Sequence, residues 1–163
     1  MKKVIIYGFA ALFLAFIISL HIAGGASSSV KGIGKIAIGM TKNKIASILG
    51  QPNSPSKYDF IYGSDNKELI VIFDKNKKVE SIIIKGKDLK HSILGISIGS
   101  PEKNVQKTFG KPEYIKSCIF FKREMWGYPS SNAYFTLKNG KVDSFAVSCY
   151  DSKNFRKTAG KKL

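Results

Sequence analysis

From Ile38 the apolar positions keep a helical spacing for one short stretch and then change to two-residue alternation, and sixty residues later they do the same again. The first stretch, "IGMTKNKIASILGQPN" (Ile38 to Asn53), puts Ile45, Ile48 and Leu49 at i, i+3 and i+4. The second, "IGSPEKNVQKTFGKPE" (Ile98 to Glu113), does so with Val105, Thr108 and Phe109. That spacing predicts two short helices with one face turned inward. Their limits are marked. Thr41 and Ser100 are N-cap residue types, and Pro101 suits the first helical position, where a missing N–H costs nothing. Gly50 and Gly110 fit a left-handed position just past the helix, and Pro52 and Pro112 forbid continuation. A phosphate-binding loop needs several glycines ahead of its helix and a Lys with Ser or Thr inside it. Gly39 alone does not supply this, so the glycines read as brackets around helices.

After each helix come three runs with strand character, separated by turn residues. They are Tyr58 to Tyr62, Leu69 to Phe73 and Val79 to Lys85, and then Cys118 to Trp126, Asn132 to Lys138 and Val142 to Tyr150. A further match, "KNKKVESIII" from Lys75 against "KNGKVDSFAV" from Lys138, confirms an internal repeat with a few residues gained between its blocks. The pattern predicts an α+β fold: two tandem helix-plus-three-stranded antiparallel meander repeats, 27–90 and 91–150, forming one domain behind an apolar N-terminal helix. Alternation in the second repeat assigns Ile119, Phe121, Phe135, Leu137, Phe145 and Val147 to the helix side. It assigns Phe120, Lys122, Glu124, Trp126, Tyr134, Thr136 and Tyr150 to the other. In the first repeat that other face carries Val71, Phe73, Val79 and Ile83, apolar enough to imply a cover.

The N-terminus changes the picture of where the chain works. Lys2 and Lys3 precede a run from Val4 to Ala23 that is nearly all apolar, and "GGASSS" follows. Residues 1–26 therefore read as a secretory signal, or as an uncleaved anchor, since the run is close to the roughly 20 residues that span a bilayer. The expected location is extracytoplasmic, secreted or held at the cytoplasmic membrane. Residues 151–163 read as a basic disordered tail. The net charge of +16 favours anionic surfaces. Only Arg123 and Arg156 are arginines, so the forked donors that read bases are scarce and sequence-specific nucleic-acid binding is not expected.

Residues able to carry catalysis are sparse. His21 lies in the apolar leader and His91 between the repeats, and neither a G-x-S-x-G turn nor a papain-like Cys context occurs. "DKNKK" at Asp74 opens like a calcium loop, but Val79 stands where the loop needs Gly and Lys85 where it needs Glu. Cys118 and Cys149 fall at opposite ends of the predicted meander, which predicts free thiols rather than a disulfide. No enzyme activity, cofactor or metal is expected.

The pattern "IGxxxxxIxxxxGxP" followed by strands, present twice, resembles the SmpA/OmlA (BamE-like) repeat of small exported proteins. Paired across Ile33 to Tyr150, it looks most like the CAP-associated N-terminal domain of Gram-positive exported proteins. The tandem arrangement is also similar to that of beta-lactamase inhibitory protein, whose two units join sheets into a concave partner-binding surface. The resemblance implies a binding or assembly module without catalytic residues. A protein partner in the cell envelope is then expected on the sheet face and loops of the second repeat, with Phe120, Trp126, Tyr128, Tyr134 and Tyr150 as anchors and Lys122 among the steering charges. Two alternatives stay open: the same aromatics as ordinary cross-strand packing, and a cell-envelope adaptor that binds anionic polymer or lipid through diffuse lysine charge.

Overall fold

Four strands follow each helix, and all eight join into one antiparallel sheet, so the two predicted three-stranded units are not what forms. The computed structural model describes residues 29–64, 67–86, 90–118 and 122–149; the predicted leader and tail lie outside these. Helix α1 is Lys42–Leu49 and helix α2 is Glu102–Phe109. A two-stranded hairpin, β1 (Gly32–Ile33) with β2 (Ile36–Ala37), precedes α1. The large sheet takes β3 (Ser54–Pro55), β4 (Asp59–Ser64), β5 (Lys67–Phe73) and β6 (Val79–Lys85) from the first half. From the second it takes β7 (Tyr114–Cys118), β8 (Arg123–Tyr128), β9 (Ala133–Lys138) and β10 (Lys141–Ser148). Its order is β3-β4-β5-β6-β10-β9-β8-β7. The last strands of the two halves thus meet in the middle, with Ile83 opposite Ala146, Ile84 opposite Phe145 and Ile82 opposite Val147.

The fourth strand of the second half escaped the pattern because "CIFFKREMW" has no Gly, Pro or Asn to announce a turn. The chain nonetheless reverses between Cys118 and Arg123, which face each other across the β7–β8 pair, and Lys122 carries a φ of 48° there. In the first half the extra strand is only the two residues Ser54–Pro55. Both short helices sit between the expected residues, with details that differ. Thr41 Oγ1 accepts from Lys44 N at 3.3 Å, as an N-cap should. In α2 the cap position belongs to Pro101, extended at ψ 150° and without a side-chain cap bond, while Ser100 Oγ accepts from Ser97 N instead.

One face of the sheet is dry. Ile45 of α1 and Val105 and Phe109 of α2 pack on Val71, Phe73, Ile82, Ile84, Phe135, Leu137, Phe145 and Val147, all buried. The segments before the helices complete the cover with Ile33, Ile36, Ile93 and Ile96. Ile93 and Ile96 exchange both backbone bonds at 2.9 Å, repeating the β1–β2 hairpin at the same place before the second helix. Cys118 ends β7, an edge strand, in line with Arg123, Lys138 and Lys141 at the start of β10, whereas Cys149 follows the opposite end of β10, three strands away; Cys149 is a free thiol. Among the described residues no helix is long and apolar enough to cross a membrane.

Candidate binding surface

The second face of the sheet is the one without helices. Each strand contributes alternate residues to it, and strand register lines these up in rows: Ile61, Ile70, Ile83, Ala146, Tyr134 and Gly127 form one row across β4 to β8. The row beside it runs Glu68, Lys85, Ser144, Thr136 and Met125. Around the seam between the halves these rows form a shallow depression of about 490 Å³, with Ile72, Ile83, Met125, Tyr134 and Ala146 among its lining residues. Its surface is mainly apolar. Glu80 and Lys85 stand at it with their charges, and Lys85 Nζ lies 3.4 Å from Glu68 Oε2.

Two β-bulges set which residues reach this face. Register slips between Ile72 and Phe73 against β6, and between Val142 and Ser144 against β9. The extra residues are Glu80 and Asp143, which occupy matching places in "KVES" and "KVDS". A bulge flips the side of every residue beyond it. The bulge at Glu80 turns Val79 into the core, where it pairs with Phe73; Phe73 and Val71, which faces Ile82, lie there through the unbroken alternation of β5, and of the predicted open set Ile83 alone stays open. Asp143 is held by Arg123, whose Nη2 lies 3.0 Å from Asp143 Oδ2.

The reversal between β7 and β8 has the same effect on the predicted anchors. Trp126 pairs with Phe135 and so shares its core side, only 4 % exposed, with Nε1 donating to Glu124 Oε2 at 3.0 Å. Tyr128, 2 % exposed, packs on Phe109 with ring centroids 5.2 Å apart and donates its hydroxyl to Gly110 O at 3.1 Å. Burial pushes its phenol up to about 12. Neither can anchor a partner. Tyr134 does stand on the open face, and Lys122 is exposed at the end of the β7–β8 connection, away from it. Phe120 and Tyr150 lie outside the described residues. At the far end of the face the Tyr114 ring lies against Gly127, where a Cβ would come within 2.3 Å of it.

Gly50 and Gly110 hold φ of 79° and 78° with ψ of −161° and −159°. This is an extended, positive-φ conformation essentially confined to glycine, rather than the left-handed helical one expected from the sequence. Their carbonyls accept from Tyr62 and Tyr128 hydroxyls at 3.3 and 3.1 Å, a bond that recurs in both halves. Pro52 and Pro112 follow in the loops to the next strands. Among the described residues no three His, Cys, Asp or Glu side chains gather as metal ligands would.

No family model matches the chain, and no curated protein matches it. Solved structures do. A DUF4309 family protein (YjgB) from Bacillus subtilis superposes with a TM-score of 0.50 at 14 % identity, over 68 % of this chain and 78 % of that one. An extracellular protein containing an SCP domain from Bacillus anthracis gives 0.52 at 13 %, over 82 % of this chain. This chain spans 49 % of that protein's length. A cysteine-rich secretory protein (SAV1118) from Staphylococcus aureus gives 0.49 at 13 %, over 76 % of this chain and 49 % of that one. At such identities the likeness is one of fold alone, and a BamE-like repeat is not shown by it.

Proposed function

We propose that this chain is a non-catalytic binding module working outside the cytoplasmic membrane, which takes a protein partner on the open face of its sheet. The observation that carries this reading is the apolar depression at the seam, lined by Ile72, Ile83, Met125 and Ala146. A solvated sheet face ordinarily alternates to polar residues, and a contiguous apolar patch marks a contact surface. The partner inserts an apolar side chain or turn there, and acidic residues around it are drawn by a chain of net charge +16. The location outside the cell rests on the Lys-apolar-small order of residues 1–26 and on the extracellular protein among those of like fold.

Photocrosslinking in living cells tests this. A crosslinking residue in place of Thr136, on the open face, is expected to give a discrete protein adduct that Ile83→Lys abolishes. The same residue in place of Ser47, exposed on α1, is expected to give none. Identical adducts from both positions, or none from position 136, would overturn the reading.

A further inference from the structure

A separate surface carries its own signal. Three segments of the first half meet at one turn end of the sheet. Lys42 N donates to Lys77 O at 3.0 Å, Thr41 bridges to Lys78, and Phe73 N donates to Tyr58 O at 2.8 Å. Lys42 Nζ ties the helix start to the loop before β4 by donating to Ser56 O at 2.5 Å and lies over the Phe60 ring, 4.6 Å from its centroid. With Lys42 engaged in this way, Lys44, Lys57, Lys75, Lys77 and Lys78 stand exposed around the junction. Of the nearby carboxylates, Glu80 stands at the depression, and the other two, Asp59 and Asp74, are occupied by their own turns. Asp59 Oδ1 accepts from Ser56 Oγ at 2.7 Å, and Asp74 Oδ1 accepts from the N–H groups of Asn76 and Lys78, each at 2.8 Å. The ion pairs Lys85–Glu68 and Arg123–Asp143 lie elsewhere. Beside these lysines Tyr58 is 59 % exposed, with Lys57 Nζ 5.1 Å from its ring centroid.

We propose that this lysine end, with Tyr58 beside it, docks on a membrane surface rich in anionic phospholipid headgroups. Lysines on flexible stems suit a diffuse layer of charge, whereas forked recognition of one fixed phosphate calls for Arg, and this end has none. An exposed Tyr next to them is the side chain that settles at headgroup depth, with an apolar ring and a polar tip. The helix adds to the effect, since the first turn of α1 holds no acidic residue. The matching end of the second half is different: Glu102 sits in the first turn of α2, and Glu124 and the Arg123–Asp143 pair break up the charge of Lys138 and Lys141. This surface is distinct from the depression, and the proposal does not depend on the one above.

The test is sedimentation of the full chain with vesicles of phosphatidylcholine alone and of phosphatidylcholine with about a third phosphatidylglycerol. Any binding through the apolar N-terminus is common to both and sets the baseline. The anionic vesicles are expected to bind at least tenfold more tightly, with the increment lost in 0.5 M salt. Lys44→Glu, Lys57→Glu and Lys75→Glu together should return binding to the baseline. Folding is not at stake in the first of these, because a carboxylate in the first turn favours the helix. Lys138→Glu with Lys141→Glu should leave the increment nearly intact, and Tyr58→Ala should reduce it several-fold. Equal loss from both sets of lysines would overturn the proposal in favour of undirected charge. Soluble polyphosphate that binds as tightly as the vesicles, without regard to Tyr58, would overturn it in favour of a polyanionic polymer.

Discussion

Tyr128 shows how much one side chain can be misjudged from its neighbours in sequence. It belongs to an aromatic-rich run that invites a reading as contact surface, yet it lies under α2 with its hydroxyl on Gly110 O. Its phenol is raised from an ordinary 10.0 to about 12 because burial disfavours the phenolate. The folded state therefore holds a proton that the unfolded state gives up above pH 10, so stability is full below that value and is lost as the pH climbs toward 12. Tyr128→Phe should flatten this alkaline loss while lowering stability at neutral pH by roughly 1 kcal/mol, the worth of an ordinary hydrogen bond. Denaturant titrations of both proteins at pH 7, 10 and 11.5 measure it; parallel pH curves would show that the phenol is not protected by the fold.

At the scale of elements, what was legible followed from local chemistry. Thr41, Gly50 and Pro52 bracket α1, and Gly110 and Pro112 end α2, because caps and terminators act within a few residues of themselves. The strands Leu69 to Phe73 and Val79 to Lys85 stood out as β-branched runs between turn residues. Bulges and unmarked reversals were not legible. Nothing local in "VES" or "VDS" says that Glu80 or Asp143 is the extra residue, since a bulge is settled by pairing with a strand elsewhere. The slip at Glu80 accounts for Val79, and the hidden β7–β8 turn for Trp126 and Tyr128, being placed on the wrong face; Val71 and Phe73 were misplaced because Phe73 pairs with Val79 where Leu137 pairs with Val142, a connection longer by one residue in the first half. The helix ends also yield a prediction. At Gly50 and Gly110 a Cβ would meet nothing within 4 Å, so the cost of a side chain there comes from backbone conformation alone. Gly50→Ala and Gly110→Ala should each destabilise by roughly 1–3 kcal/mol, and by similar amounts. Thermal unfolding measures both, and a variant as stable as the parent would refute the conformational argument.

Over the whole molecule, the seam decides whether the halves are separable. Ile82 and Ile84 of β6 and Phe145 and Val147 of β10 are at most 1 % exposed. Burial of such side chains contributes about 1.5–3 kcal/mol each, and four of them rival the roughly 5–15 kcal/mol of net stability of a domain. A fragment of residues 27–90 should therefore fail to fold alone, and the intact chain should unfold in one transition. A dispersed amide spectrum from the fragment would contradict this. The seam also has the geometry of a two-fold contact between like partners. The repeat matches Ile83 to Ala146, and these are the residues that face each other, while Ile84 faces Phe145 and Ile82 faces Val147 in mirrored order. In a homodimer the residue on such an axis must meet its own copy. Because both halves belong to one chain here, a large Ile can stand against a small Ala on the axis itself. A depression lined at the very axis by two unlike residues, Ile83 and Ala146, is something that covalent fusion permits and a symmetric pair of separate chains does not.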